Sequence, residues 1–343
     1  MAISLAVKYR PKTFEEALGQ GSTIKILRQQ IEKGCFGNCY LFAGSSGCGK
    51  TTLARIFANL INQGKGSPIE IDGASNNGVE SVRAIVDSAG ERSLDSEYKI
   101  YIVDECHAIS SQGWQAFLKC IEEPPKYTIF MFCTTNPEKV PETIQNRLIR
   151  FNISKVRTDL IKQRLIYICK QEGYCNYEEA CDYISKFADG SVRSAITYLE
   201  KCVNYSEDLS IENVLNCLGN FSYKKFFDLT NHLIDKEEKE VISLLDEFYN
   251  SGNDMKLFIE QYLDFVLDIT KYCLFVDINQ TKIPSSLIDK LNFTVGDDKN
   301  MALKYFNLLL DKVLNIKNAI KYDVNNRTTI SVMFINICRG VKE

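Results

Sequence analysis

Hydrophobic and polar positions along this chain keep two rhythms. Up to about residue 155, short apolar runs alternate with amphipathic stretches; from about Thr158 only the amphipathic rhythm remains. The runs "CYLFAG" (39–44), "IEID" (69–72), "KIYIVDE" (99–105) and "TIFMFCTT" (128–135) predict buried strands. Between them, "TTLARIFANLI" places Leu53, Phe57, Leu60 and Ile61 on one helical face. "SSQGWQAFLKCIEEPP" spaces Trp114, Phe117, Leu118 and Ile121 at i, i+3, i+4 and i+7. Ser110 or Ser111 is placed to cap that helix, and Pro124-Pro125 stops it. Such alternation predicts an α/β domain, a parallel sheet with flanking helices on both faces.

The rest reads as helical. "TDLIKQRLIYICKQEG" and "NYEEACDYISKFADGSVRSAITYLEKCV" are amphipathic segments joined by Gly173 and Gly190. After "NCLGNFS" (216–222) a further block, rich in Phe, Tyr, Leu and Ile, runs to the C-terminus. The expected division is 1–156, 157–219 and 220–343, and 343 residues exceed one ordinary core.

Composition narrows the class. Hydrophobic content of 45% and charged content of 25% are globular values. A net charge of −3 means that nucleic-acid binding has to come from a local basic patch. No run reaches the ~20 apolar residues of a membrane span, and "MAISLAVKYRPKTF" has no basic segment ahead of its apolar stretch, so neither a membrane protein nor a signal peptide is expected. The thirteen cysteines form no framework, and several (Cys120, Cys169, Cys202) sit in apolar periodic segments, as in a reduced cytoplasmic protein. Cys35-x3-Cys39 is the closest pair and no second pair has metal spacing, so no zinc is expected. With only His107 and His232 present, most His-based catalysis is excluded.

One stretch carries chemistry. Gly44, Ser45, Ser46, Gly47, Cys48, Gly49, Lys50, Thr51 and Thr52 follow a predicted strand and open a predicted helix, with the spacing G-x4-G-K-T. Glycines let backbone N–H groups close around phosphates, and the helix N-terminus adds positive potential. Lys50 is expected to reach the β- and γ-phosphates of ATP and the Thr51 hydroxyl to ligate Mg2+. "IYIVDE" supplies Asp104 for the same Mg2+ and Glu105 to polarise the attacking water. Thr135, at the end of the next strand, either touches the γ-phosphate or its water or caps a turn. Gly190-Ser191 reads as a helix start, which puts Arg193 in a first turn. A cation there opposes the helix dipole unless a bound polyphosphate reverses the sign; the alternative is an ordinary solvated arginine.

In their order, "VKYRP" (7–11), "LGQ" (18–20), "GSSGCGKTT", "IEIDGAS" (69–75), "VDECHAISSQGWQAFLKCIEEPP" (103–125) and "TTNPEKVPETIQNR" (134–147) resemble the clamp-loader ATPases, AAA+ proteins that place sliding clamps on DNA. The similarity is greatest to the bacterial polymerase III gamma/tau and replication factor C small-subunit branches. It covers residues 7 to about 200, with "YDVNNRTTISVMFINICRG" (322–340) resembling the family's final helix. The resemblance implies an AAA+ domain over 1–156, a helical lid over 157–219 and a helical collar over 220–343. It places Tyr9, Arg10 and Pro11 by the adenine, makes Thr135 the first sensor and Arg193 the second, and makes Arg147 the arginine finger that reaches a neighbouring subunit's ATP. It also implies that Arg83 and Lys139 face DNA, the alternative being solvated surface charges, and that Leu94 lies in the clamp-binding segment.

Two departures stand out. Where the family has Ser-Arg-Cys, this chain has Asn146-Arg147-Leu148, and where the bacterial gamma subunit carries a four-cysteine zinc module, it has only "NQGKGSP" (62–68). This compact form suits a minimal bacterial or phage-encoded loader. The implied activity is Mg-dependent ATP hydrolysis at subunit interfaces of a pentamer-type assembly, homo- or hetero-oligomeric, acting on a sliding clamp and primer–template DNA. A non-hydrolysing structural subunit and another DNA-acting AAA+ motor are the competing expectations.

Overall fold

Strand residues alternate between two apolar faces, and this alternation builds the core. In β1 (Cys39–Gly44), Tyr40 and Phe42 point to one side of the sheet and Cys39 and Leu41 to the other, and all four are buried. A computed structural model describes residues 3–218, 223–252, 254–321, 323 and 326–340. It places β2 (Ile69–Asp72), β3 (Lys99–Asp104), β4 (Thr128–Thr134) and β5 (Ile149–Ile153) in one parallel sheet with β1, in the order β2-β3-β4-β1-β5.

Helices cover both faces, as sheets of this kind require. The early helices are α1 (Leu5–Lys8), α2 (Gly21–Lys33), α3 (Lys50–Ile61), α4 (Val79–Ala89), α5 (Ser111–Glu122) and α6 (Glu142–Gln145). Leu27 of α2 and Leu53, Phe57 and Ile61 of α3 pack with Tyr40, Phe42 and Met131 on one face. On the other face, Trp114, Phe117 and Ile121 of α5 meet Leu41, Phe130 and Phe132. Ser110 is the residue that caps α5, its hydroxyl accepting from Gly113 N–H at 3.1 Å.

Three expectations need correction. "IEID" is a strand but not a buried one: β2 is an edge with β3 as its partner, Glu70 and Asp72 break its apolar run, and Ile69 is 41% exposed. Leu60 keeps the helical phase of Leu53 and Phe57 but is not buried with them: it is 38% exposed, in the last turn of α3. The sheet also has a fifth strand, β5, which no apolar run announced; Arg150 and Asn152 interrupt it, and only Phe151 and Ile153 turn inward.

The chain divides into two compact units, residues 1–172 with 184–200, and residues 173–183 with 201–343. The remaining helices are α7 (Thr158–Glu172), α8 (Glu178–Phe187), α9 (Val192–Tyr205), α10 (Ile211–Cys217), α11 (Tyr223–Asp235), α12 (Glu238–Asn250), α13 (Met255–Phe275), α14 (Ile288–Val295), α15 (Lys299–Ala319) and α16 (Asn326–Gly340). The second unit has an aromatic centre in which Phe226, Phe258, Tyr262 and Phe265 interlock, Phe226 lying 5.4 Å from Phe265 between ring centroids. Asp254 and Asp298 cap α13 and α15, which pack along each other. The expected boundary at 219/220, and Tyr322, Val324 and Asn325 of the final segment, lie outside the described residues.

Candidate functional site

Parallel strands gather their C-terminal ends along one edge of a sheet, where such folds bind ligands. Here β1 ends at Gly44, β3 at Asp104 and β4 at Thr134, with Ala43 paired to Thr134 and Val103 to Phe132. The turn from β1 into α3 demands glycine. A Cβ on Gly44 would stand 2.1 Å from the Ile153 carbonyl oxygen, and Gly49 holds φ 108°, a region other residues avoid. Lys50 is only 5% exposed, and its ammonium donates to the Gly44 and Ser45 carbonyls at 3.0 Å each. Cys48 is buried; burial raises its thiol pKa more than nearby Lys50 lowers it, so it packs as a neutral group.

Thr51 Oγ1 donates to Asp104 Oδ2 at 2.8 Å. Adjacent oxygens on an octahedral Mg2+, at ~2.0–2.1 Å from the ion, stand about 2.9 Å apart, so this hard-oxygen pair fits that ion. Among the described residues no group of three or more His, Cys, Asp or Glu could hold a metal, so the remaining positions would fall to phosphate and water. Glu105 sits at φ 45° and ψ 42°, a left-handed conformation that a glutamate adopts at a cost. Its Oε2 accepts from Thr135 Oγ1 at 3.1 Å, and His107 Nδ1 lies 3.2 Å from the same oxygen and from Thr134 Oγ1.

One pocket takes in Ser46 to Leu53, Asp104 and Glu105, and with them Tyr9, Arg10, Pro11, Arg164 and Arg193. Arg193 stands in the first turn of α9, and its N–H points at the Gly47 carbonyl, 3.4 Å away. Gly44 and Ser45 lie behind the lining, and Thr135 meets it through Glu105. The sequence reading missed Arg164, which has no local motif; α7 delivers it from far along the chain.

The other candidates stand apart. Arg147 is outside the pocket lining, half exposed, with Nη2 2.7 Å from Glu122 Oε1 and Nη1 on the Thr143 carbonyl. Glu122 is the last residue of α5, where the helix dipole disfavours an anion by ~0.3–1 kcal/mol; the pairing offsets this. The adjoining Leu148 is buried beside Val140 and Ile144, which fixes the backbone that carries Arg147. Arg83 on α4 and Lys139 after β4 are exposed, and Leu94, in the segment between α4 and β3, is fully so, at 104%. In the short 62–68 segment, Asn62 bonds both the N–H and the carbonyl of Tyr98. No helix among the described residues is long and apolar enough to cross a membrane.

Two family profiles match the chain: DNA polymerase III, delta subunit, over residues 67–157, and DNA polymerase III subunits gamma and tau domain III, over residues 209–320. The chain is 31% identical over 310 residues to DNA polymerase III subunit gamma/tau of Mycoplasma genitalium, covering 83% of this chain and 52% of that protein. It is also 31% identical over 284 residues to DNA polymerase III subunit gamma of Buchnera aphidicola subsp. Schizaphis graminum, covering 76% of this chain and 78% of that protein. The chain spans about half the length of the first curated relatives it matches. Among solved structures, the Thermotoga maritima RuvB Holliday junction branch migration motor superposes with a TM-score of 0.52 at 20% identity, over 74% of this chain and 90% of that one. That likeness carries the fold alone, a parallel sheet flanked by helices. With the glycine-rich turn, the acidic pair and these relatives in place, the chain belongs to the DNA polymerase III gamma/tau family.

Proposed function

We propose that this chain is an ATPase subunit of a DNA sliding-clamp loader. The observation that supports it most directly is the convergence of Lys50, Thr51, Asp104, Glu105 and Arg193 on one pocket at the sheet edge, in a member of this family. Lys50 leaves the two carbonyls it now meets for the β- and γ-phosphates. Backbone N–H groups of Gly47 to Thr51 cradle the phosphates, and Tyr9, Arg10 and Pro11 flank the adenine. Thr51 and Asp104 hold Mg2+, which when bound neutralises charge developing on the phosphates. Glu105 orients the attacking water; Thr135, as first sensor, fixes its carboxylate, and Arg193, as second, reports the γ-phosphate from α9.

Arg147 completes a neighbour's site rather than its own, and its place outside the pocket lining fits that role. In the free chain Glu122 holds it. ATP binding then closes a spiral of subunits, in a pentamer-type assembly, that opens the clamp and grips primer–template DNA; hydrolysis releases both. Arg83 and Lys139 meet DNA phosphates without reading sequence, and Leu94 seats on the clamp. On this reading residues 1–156 form the nucleotide-binding domain, 157–219 the lid and 220–343 the collar, and the assembly works in the cytoplasm. An intact P-loop with its acidic pair argues against a non-hydrolysing subunit.

The test is steady-state ATP turnover of the chain with its partner subunits, alone and with primed DNA and the cognate clamp, for wild type and Glu105→Gln. Stimulation by DNA and clamp is expected. Loss of the water-orienting carboxylate lowers turnover by ~10²–10⁴ while ATP stays bound. Turnover indifferent to both DNA and clamp would point to a different AAA+ role.

A further inference from the structure

Phosphate chemistry accounts for only part of the pocket. Its lining also includes Ala6, Pro11, Leu18 and Ile196, apolar groups that suit a nucleoside and not its phosphates. Tyr9, Arg10 and Pro11 of this lining belong to a segment that is strapped to α7 and α9. Ser4 Oγ donates to Glu200 Oε2 at 2.8 Å, and Leu5 N–H to Glu200 Oε1 at 3.0 Å. Lys8 Nζ donates to Glu172 Oε1 at 2.6 Å, and the Tyr9 hydroxyl donates to that same oxygen. Arg164, itself a lining residue, donates from Nη2 to the Tyr9 carbonyl at 2.8 Å. The Tyr9 ring stands edge-on to Tyr167, 6.3 Å between centroids.

Each of these contacts joins the N-terminal segment to α7 or α9, the helices that also bring Arg164 and Arg193 to the pocket. One carboxylate oxygen receives two donors from consecutive residues, and that fixes both the path of the chain and the angle of the Tyr9 ring. Lys8 first, and Tyr9 second, hold the Glu172 carboxyl below its ordinary value, so it is charged throughout the neutral range.

We propose that Glu172 is a positioning residue of the nucleotide pocket: by gripping Lys8 and Tyr9 it sets the Tyr9–Pro11 wall against which the nucleoside rests. This rests on the reading of the pocket as an ATP site. The wall contacts base and sugar, which ATP and ADP share, so its loss weakens both equally. The same grip ties the wall to α7 and α9, so a bound nucleoside steadies the segment and those helices together.

The experiment is calorimetric titration of the full chain with ADP and with a non-hydrolysable ATP analogue, for wild type, Glu172→Ala, and a Lys8→Met/Tyr9→Phe variant that removes the donors instead. Charge-assisted hydrogen bonds lost in this way are expected to weaken both ligands roughly tenfold and by the same factor. Amide exchange gives the second readout: ADP slows exchange over residues 4–11 and 50–61 in wild type, and only over 50–61 in the variants. Wild-type affinity in both variants overturns the proposal, as does a weakening confined to the ATP analogue, which would place the effect at the phosphates. If wild type binds neither ligand, the ATP reading of the pocket fails and takes this inference with it. The donor-side variant keeps the test decisive should Glu172→Ala fold poorly.

Discussion

Asp268 shows how much one side chain can carry away from the pocket. It is buried in α13, where its carboxylate accepts from Lys282 N–H at 2.9 Å and from Lys271 Nζ at 3.1 Å. Burial raises its pKa above the ordinary carboxyl value of 3.8, and these two partners only partly oppose the shift. The folded state therefore holds the proton more tightly than the unfolded chain. Stability from this group is fully present below the ordinary carboxylate range and is lost as pH rises through the raised folded value. Asp268→Asn, neutral at every pH, is accordingly expected to gain on wild type as pH rises: its melting temperature relative to wild type should be higher at pH 7.5 than at pH 4.5. A difference that stays constant, or runs the other way, contradicts the assignment. Residues of this kind escape a sequence reading because their setting comes from the fold. Lys50 and Asp104 were legible because each sits in a local pattern tied to a strand end. Arg164 and Glu172 were not, because α7 brings the first to the pocket and the second to the segment that lines it, and no periodicity marks an arginine or glutamate that will face inward.

Single residues also decide where elements stop. Helix α13 ends at Val276, which takes φ 55° and ψ 30° as its C-cap. A β-branched residue in that left-handed region costs ~1–2 kcal/mol, and Val276 is exposed enough to recover little by packing. Glycine meets no such penalty, although its greater freedom in the unfolded chain returns part of the gain. Val276→Gly should therefore stabilise the protein by about 0.5–1 kcal/mol in urea unfolding, and a loss of stability would show that the valine packs more than its exposure indicates. Elements with an unbroken apolar run, β1, β3 and β4, were readable from sequence because both their faces are buried. The edge strands were harder for the same physical reason. β2 reads as buried because its isoleucines dominate a four-residue window, and β5 gives no strand signal because charged and polar residues fill its open face. The cap of α5 could be narrowed to two serines, and the bond to Gly113 selects Ser110.

For the whole molecule, we propose an active site shared between subunits. Sequence offered Arg147 for this only through resemblance, since nothing in its spacing distinguishes it from a surface arginine. The structure adds that its guanidinium is held by Glu122, away from its own pocket, on a backbone fixed by Leu148. Arg147→Ala should then leave the chain's own nucleotide affinity unchanged, because the residue contacts nothing there. In the assembled state, turnover should fall by ~10³–10⁵, the contribution such a finger makes in other nucleotide hydrolases. The most direct measurement is ATP hydrolysis by the assembled subunits with primed DNA and clamp, comparing wild type with Arg147→Ala, alongside ATP binding by each chain alone. Collapsed turnover with intact binding is the predicted result. Turnover that survives Arg147→Ala would contradict a shared site, and weakened binding in the isolated variant would mean that the arginine serves its own pocket.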